Sequence, residues 1–384
     1  MKITINSTDL SRALAAVAKS ISNKSIIPIQ DCFFIEAVGD KIRITGSDNE
    51  NWFSVGVQPT DITYLDDGFN AFCIESKRFL AIIRELPSQP IGLETTKGCG
   101  YATLRWISGE AQIPILFADE YPMPVMDQQQ DNATVLPIDT VKHVIENCLF
   151  ATANDELRPV MNGIYFDNTE GFLTCCATNG YMLARMKYTE KAPGQSFILP
   201  NKSANLLGVF INEIERNNNT ELKVIVNGNN IVFSTLDNNE QLNRLICRKI
   251  EGRYPNYNNV IPKNYSCELE ISRLDLVAAL KRTIVFANAD TLLVKLKITE
   301  NQLTISASDI NFMTSSEEQI GCAFNGQEEF LIGFKGSLLL DILKHFKEDE
   351  IKILLTDHTR AAVFLTQEHT EECEPLMLLV PMAI

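Results

Sequence analysis

The sequence lacks the compact motifs that mark common catalytic sites. It contains no G-x-x-x-x-G-K-[ST] phosphate loop, no H-E-x-x-H pair and no G-x-S-x-G nucleophile elbow. Its four histidines are scattered without the spacing of metal ligands, so we expect no metal site and no cofactor. Acidic neighbours such as Asp48 with Glu50, and Asp66 with Asp67, fall in turn-like stretches. They favour a solvated surface over a pair of catalytic carboxylates.

Long apolar runs and paired cysteines are also missing. No stretch approaches the roughly 18 apolar residues that a membrane span requires. Asn6, Asp9 and Arg12 interrupt the N-terminal region, so we expect no signal peptide and a cytoplasmic protein without membrane contact. The ten cysteines include no C-x-x-C pair, and Cys175 and Cys176 adjoin within a predicted strand. We therefore expect buried, reduced thiols.

Positive charge is scarce, since the chain has a net charge of −15. This balance excludes nucleic-acid binding only if charge is spread evenly, because a basic stripe can lie on an acidic body. A chain of 384 residues with 45% hydrophobic residues is long enough for three folded domains.

Similar passages recur three times at domain-sized intervals. The first set begins at Lys2, Thr134 and Glu268 with KITINSTDLSRALAAVAKSIS, TVLPIDTVKHVIENCLFATA and ELEISRLDLVAALKRTIVFA. The second set begins at Phe72, Phe197 and Phe330 with FCIESKRFLAIIRELP, FILPNKSANLLGVFINEI and FLIGFKGSLLLDILKHF. Each passage predicts a short strand followed by an amphipathic helix. In the first, Leu10, Ala13, Leu14, Val17 and Ala18 form the apolar stripe.

Alternating, β-branched runs separate these helices, and the turn residues Val226–Asn229 predict a hairpin. The fold class is therefore α+β, with three repeated domains that each pack two helices on antiparallel sheets. Polar segments at 128–133 and 262–267 fall between repeats. They place the domains at 1–129, 131–263 and 264–384. Repetition without a singular polar cluster favours a scaffold or binding role over catalysis.

Three separated motifs resemble the bacterial sliding clamps, the beta subunits of DNA polymerase III. They are GYMLAR after CCATN (Cys175–Arg185), EGRYPNYNNVIPKN (Glu251–Asn264) and the terminal LLVPMAI (Leu378–Ile384). The resemblance covers the whole chain. It implies a head-to-tail dimer that closes a ring around duplex DNA, with helices facing the hole and sheets facing outward. Such a protein is a processivity factor and not an enzyme.

The resemblance implies weak, exchangeable contacts between helix cations and DNA phosphates, because a strong contact would stall sliding. Lys24 and Arg158 match family positions next to the duplex. The helix faces supply the other candidates, which are Arg12, Lys19, Lys77, Arg78, Lys142, Lys202, Lys281, Arg282 and Lys335.

The resemblance also implies a pocket for short linear motifs of the replicative polymerase alpha subunit, the clamp loader, other polymerases and repair proteins. Its predicted residues are Met161, Thr178, Gly180, Tyr181, Met182, Leu183, Pro255, Asn259, Val260, Thr291, Lys335, Leu338, Leu379, Val380, Pro381 and Met382. An apolar slot of this kind accepts Leu or Phe anchors, and its methionines adapt to different sequences.

Several positions depart from the family pattern. Tyr181 and Met182 replace a His-Arg pair, Asn259 replaces an arginine, Thr291 replaces an aromatic residue, and Ala383 stands where a basic residue is common. The expected pocket is therefore less cationic, and its preferred motif is expected to differ at polar positions.

The resemblance places the dimer contact between the first domain of one subunit and the third domain of the other. Ile113 and Ile115 would meet Val285 and Phe286 of the second copy. Two alternatives remain at this point. One is a multidomain adaptor that binds peptides without encircling DNA, and the other is a carboxylate-based hydrolase, which would need two converging acidic side chains.

Overall fold

The computed structural model describes residues 1–22, 27–126, 133–236, 242–326, 329–366 and 373–384. The chain forms two compact units. One contains Met1–Lys142 and Lys202–Lys249, and the other contains His143–Asn201 and Ile250–Ile384. The middle third of the sequence therefore contributes residues to both units.

The helices and strands follow the three predicted repeats. The first repeat comprises β1 (Lys2–Asn6), α1 (Ser7–Val17), β2 (Cys32–Val38), β3 (Lys41–Ser47), β4 (Asn51–Val57), β5 (Asp61–Thr63), β6 (Ala71–Glu75), α2 (Ser76–Glu85), β7 (Pro90–Glu94), β8 (Tyr101–Trp106) and β9 (Gly109–Phe117). The second comprises β10 (Thr134–Pro137), α3 (Ile138–Cys148), β11 (Gly163–Asp167), β12 (Phe172–Thr178), β13 (Met182–Lys191), β14 (Phe197–Pro200), α4 (Asn201–Glu215), β15 (Glu221–Asn227), β16 (Asn230–Ser234) and β17 (Arg244–Arg248). The third comprises β18 (Cys267–Ser272), α5 (Arg273–Thr283), β19 (Leu293–Thr299), β20 (Gln302–Asp309), β21 (Thr314–Gly321), β22 (Ala323–Phe324), β23 (Phe330–Lys335), α6 (Gly336–Lys344), β24 (Glu350–Leu355), β25 (Ala362–Thr366) and β26 (Cys373–Leu379).

The first helix of each repeat begins directly after a strand. In α1 the cap is Asn6, whose side chain accepts a hydrogen bond from the Thr8 amide. In α5 the cap is Ser272, which accepts from the Asp275 amide. The predicted apolar stripe of α1 is confirmed at Leu10, Ala13, Leu14 and Val17, which are buried, whereas Ala18, just after the helix, is half-buried. In α5, Leu276, Ala279, Leu280 and Thr283 form the corresponding buried stripe.

The first unit is organised around one sheet of 13 strands. Their order is β10-β15-β16-β17-β4-β3-β2-β6-β9-β8-β7-β1-β5. The sheet passes from the second repeat to the first where β17 pairs antiparallel with β4, with Arg244 opposite Ser54. Trp52 belongs to the core beside this junction, and its indole Nε1 donates to the Pro122 carbonyl at 2.7 Å.

The second unit contains a nine-stranded and a four-stranded sheet. Their orders are β14-β11-β12-β13-β26-β25-β24-β18-β22 and β21-β20-β19-β23. Here the second and third repeats join where β13 pairs antiparallel with β26. The core beneath this junction includes Cys176, Leu183, Tyr254, Tyr257 and Leu378.

Smaller expectations from the sequence also hold. The β15–β16 hairpin turns at Gly228, whose φ of +55° is the left-handed conformation that glycine adopts easily. The cysteines are free, with Cys99 and Cys322 half-buried and the others buried. Burial, together with the nearby Glu75 and Asp31, raises the pKa of the Cys32 thiol to about 11. The predicted boundary at 128–133 lies almost entirely outside the described residues, and within them no helix is long and apolar enough to cross a membrane.

Candidate partner pocket, DNA-facing cations and dimer contact

The turn between β12 and β13 forms the centre of the predicted pocket. Gly180 occupies it with a φ of +90°. The Thr178 hydroxyl donates to the Met182 carbonyl at 2.7 Å and accepts from the Gly180 amide at 3.1 Å. The Asn179 side chain accepts from the amides of Tyr181 and Met182, both at 3.0 Å. Local hydrogen bonds thus fix the turn and direct Tyr181 into solvent, where its side chain is 64% exposed.

The C-terminal tail, Val380–Ile384, connects this turn to the four-stranded sheet. It continues from β26, in which Leu379 pairs with Met182. The Val380 amide donates to the Tyr181 carbonyl at 2.8 Å, and the Met382 amide donates to the Gly333 carbonyl in β23, also at 2.8 Å. The apolar tail is therefore held by backbone hydrogen bonds at Val380 and at Met382.

The chain between β17 and β18, residues 249–266, is the linker, and it borders the pocket beside the turn and the tail. The Tyr254 ring stacks on Tyr165 at a centroid distance of 4.7 Å, and the Tyr257 hydroxyl donates to a carboxylate oxygen of Asp167 at 2.8 Å. Burial acts to raise the pKa of Asp167, but hydrogen bonds from Thr169, Tyr257 and Tyr165 lower that pKa overall. With its tyrosines buried, the linker presents Val260, which is 54% exposed.

The predicted pocket residues divide by burial. Thr178, Met182, Leu183 and Leu379 are buried, so their side chains support the pocket from within. The remaining members lie at the surface or partly so, and they are Met161, Gly180, Tyr181, Pro255, Asn259, Val260, Thr291, Lys335, Leu338, Val380, Pro381 and Met382. Thr291 belongs to a turn in which Asn288 accepts its backbone amide at 3.2 Å. Lys335 is half-buried at the start of α6.

Arg158 lies beside this pocket, which the sequence analysis did not anticipate. A side chain at Gly180 would begin 2.9 Å from a terminal nitrogen of the Arg158 guanidinium. Its Nε donates to Asp155 at 2.9 Å, and the Met161 amide donates to the Arg158 carbonyl at 3.0 Å. The three-residue spacing from Arg158 to Met161, a predicted pocket residue, was the signal available in the sequence.

The candidate DNA-binding cations fall into two groups. Lys19, Lys77, Arg78 and Lys281 are exposed. Five others form ion pairs, namely Arg12 with Glu213 at 3.4 Å, Lys142 with Glu215, Arg158 with Asp155 at 2.9 Å, Lys202 with Asp48, and Arg282 with Glu318, where Nε lies 3.0 Å and 3.1 Å from the two carboxylate oxygens. Lys24 lies outside the described residues. A paired cation has less to offer a phosphate, because its carboxylate partner repels the same anion.

The acidic neighbours considered for catalysis have a structural role at Asp48. One carboxylate oxygen accepts from the Glu50 amide at 3.0 Å and from the Asn51 amide at 2.7 Å, while the other contacts Lys202. These bonds shape the β3–β4 turn. Among the described residues, no three His, Cys, Asp or Glu side chains form a group that could hold a metal ion.

The predicted dimer residues differ in exposure. Val285 is 77% exposed and Phe286 is also exposed, at the end of α5. Ile115 is half-buried in β9. Ile113, however, is only 4% exposed, which corrects the expectation that its side chain is available to a second copy. Alternation along β9 turns Ile113 into its own core.

Strand pairing between repeats follows one rule. The third strand after the first helix pairs with the last strand of the next repeat, as β4 does with β17 and β13 does with β26. The corresponding strand of the third repeat, β21, lies at a sheet edge and pairs only with β20 among the described strands. Among the described strands, β9, the last strand of the first repeat, pairs along Gly109–Pro114 with β8 alone. Both ends of the repeat series thus present a strand edge.

Family models match the chain in three consecutive segments. The N-terminal, central and C-terminal domains of the DNA polymerase III beta subunit match residues 1–127, 135–256 and 258–381. A beta sliding clamp of Haemophilus influenzae is 27% identical over 388 residues and covers 100% of both chains. One from Staphylococcus aureus is 25% identical and covers 92% of both.

Solved structures show the same fold. The DNA polymerase III beta subunit sliding clamp of Pseudomonas aeruginosa bound to griselimycin covers 100% of both chains with a TM-score of 0.89 at 20% identity. The sliding clamp of Bacillus subtilis covers 100% of this chain and 99% of its own, with a TM-score of 0.86 at 23% identity.

Three α+β repeats joined through shared sheets, with strand edges at both ends of the series, define a DNA clamp in fold class. The chain belongs to the DNA polymerase III beta subunit family, the beta sliding clamps. It is accordingly a processivity factor in DNA replication, an accessory subunit without a catalytic role of its own.

Proposed function

We propose that two copies of this chain join head to tail and encircle duplex DNA, and that each copy binds short segments of its partners at the surface formed by the β12–β13 turn, the linker and the tail. The repeated strand pairing carries this proposal. Within the chain, β4 pairs with β17 and β13 pairs with β26, which are equivalent strands of successive repeats. An equivalent pairing between copies would join β21 of one copy to β9 of the next. A heterologous contact that repeats in this way closes when its rotation divides the circle.

Exposed apolar residues flank the free edge of β21 and support this contact. The turn between β20 and β21 presents Ile310, Phe312 and Met313, the last 93% exposed. Val285 and Phe286 are exposed in the same unit. Apolar patches of this kind mark interaction surfaces, so we assign all five residues to the dimer contact. The backbone edge of β9, rather than the Ile113 side chain, would meet them.

For DNA, we assign the phosphate contacts first to the exposed helix cations Lys19, Lys77, Arg78 and Lys281. The ion-paired Arg12, Lys142, Lys202 and Arg282 rank lower, since their carboxylate partners compete with phosphate. Contacts of this kind are independent of sequence and weaken with salt, which suits a protein that slides. The net charge of −15 discourages DNA from binding elsewhere on the surface.

For protein partners, we assign the pocket to the replicative polymerase alpha subunit, the clamp loader, other polymerases and repair proteins. Tyr181, Val260 and Val380 offer apolar surface to leucine or phenylalanine anchors of a peptide. Arg158 moves from the DNA group to this pocket, because its guanidinium adjoins Gly180. It provides a cation beside a surface in which Tyr181 and Asn259 replace the family's basic residues. We propose that the protein acts in the cytoplasm.

Replacing Pro381 and Met382 together by alanine tests the pocket. We expect stimulation of the replicative polymerase to be lost, because the tail would keep its backbone course but lose its apolar surface. Primer extension on a long template measures the effect, and light scattering should still give a dimer near twice 43.0 kDa. The exposed Val125 changed to alanine is the matched control. Undiminished stimulation by the double variant would remove the pocket assignment.

A further inference from the structure

Gly333 is the residue at which the C-terminal tail contacts the four-stranded sheet. It is buried within β23, where it pairs with Lys295 of β19 on one side. On the other side it forms a single antiparallel bridge with Met382, whose amide donates to the Gly333 carbonyl at 2.8 Å. The tail therefore adds one point of strand pairing to the edge of β23.

The tail and Leu293 leave little room for a side chain at this position. A Cβ atom on residue 333 would lie 3.0 Å from Cγ1 of Ile384, 3.0 Å from Cδ1 of Leu293 and 3.1 Å from the Met382 carbonyl oxygen. Ordinary carbon contacts are about 3.5–4.0 Å. Gly333 is not among the glycines of positive φ, so its backbone conformation suits any residue. A larger residue there would therefore push against the tail and Leu293 rather than strain the backbone.

The same tail carries Val380, Pro381 and Met382 of the proposed pocket. It is anchored at two points, Val380 on Tyr181 and Met382 on Gly333. Pro381 lies between them and has no amide hydrogen to form a third anchor. If the Gly333 anchor is lost, the chain beyond Val380 is held at one end only. A partner peptide would then have to order the tail as it binds, which lowers its affinity.

We propose that Gly333 is a positioning residue for partner binding, which acts by seating the C-terminal tail against β23. This inference rests on the proposed pocket, and it adds a residue that itself lies behind the tail. It predicts that bulk at position 333 weakens partner binding in proportion to its size, while the dimer and its retention on DNA are unchanged.

The test compares Gly333→Ala and Gly333→Val with the wild-type protein in binding the replicative polymerase alpha subunit of the same bacterium, measured by surface plasmon resonance. We expect Gly333→Val to bind the polymerase at least about tenfold more weakly than the wild type. The affinity of Gly333→Ala should be intermediate, because a smaller side chain displaces the tail less. Gly92 of β7, where a side chain would meet no atom within 4 Å, provides the matched controls Gly92→Ala and Gly92→Val. Carboxypeptidase should also release Ile384 faster from the valine variant, as followed by mass spectrometry.

A double-variant comparison separates positioning from general damage. Removing Met382–Ile384 should weaken binding by itself, and adding Gly333→Val to that shortened chain should then cost nothing more, because the two changes act through one tail. Additive losses would overturn the inference, as would equal binding by wild type and Gly333→Val. A wild-type protein that fails to bind the polymerase would instead contradict the proposed function.

Discussion

At the scale of single residues, the hydrogen bond between Tyr257 and Asp167 holds the linker that borders the pocket. The tyrosine is buried, and its hydroxyl donates to a carboxylate that also accepts hydrogen bonds from Thr169. Because these donors stabilise the ionised form, the pKa of Asp167 stays below its usual value despite burial, the largest single influence on it. The hydrogen bond that holds the linker at Tyr257 therefore depends on Asp167 being ionised.

Changing Tyr257 to phenylalanine should lower the free energy of unfolding by about 1–3 kcal/mol, because a buried acceptor loses its donor. Urea denaturation at neutral pH measures this, with the exposed Tyr64 changed to phenylalanine as control. The folded-state pKa of Asp167 is lowered, so the stabilisation is present above the unfolded-state carboxyl pKa of about 3.9 and is lost as pH falls through the lower folded-state value. A gap between wild type and variant that persisted undiminished in strong acid would contradict this assignment.

Residue roles were the part that the sequence predicted least well. The resemblance placed Met182, Leu183 and Leu379 in the pocket by position, but their side chains point inward. The resemblance places Arg158 next to DNA, and that role stays a prediction; its proximity to Gly180 could not be predicted, because side-chain direction depends on partners distant in sequence. The burial of the Ile113 side chain could not be predicted either, since the face of a strand that is buried depends on the sheet around it.

At the scale of elements, the free edge of β21 and its apolar turn are the features on which dimer formation depends. Short-range patterns predicted the helices, as the stripe of α1 and the hairpin at Gly228 show. They did not predict that β4 pairs with β17, because strands far apart in sequence pair through contacts that no local pattern records.

Changing Phe312 to glutamate should weaken the dimer by on the order of tenfold or more, since a charge would replace an exposed aromatic anchor at the proposed contact. Light scattering over a dilution series measures the dissociation constant. Leu157→Glu is the matched control, because this leucine is also apolar and exposed but belongs to the second repeat, outside the β20–β21 turn. If both variants dimerise as the wild type does, the β20–β21 turn is not part of the contact.

At the scale of the whole molecule, the threefold repetition is apparent in the sequence; the α+β class predicted from it and the clamp family predicted from the three resembling motifs are both confirmed. Repetition is visible because the same helix stripes and strands recur at equal intervals. Repetition alone does not predict the function, because the proposed function depends on two copies closing into a ring. A clamp that encircles DNA is retained by topology, whereas an adaptor that binds DNA from one side is retained only by its contacts.

Retention on DNA before and after linearisation tests this claim most directly. The wild-type protein, loaded onto a nicked circular plasmid by the clamp loader of the same bacterium, is separated from free protein by gel filtration at high salt, where phosphate contacts are weak. We predict that it stays with the circle and is lost once a single cut makes the DNA linear. Equal retention on circular and linear DNA would contradict the account.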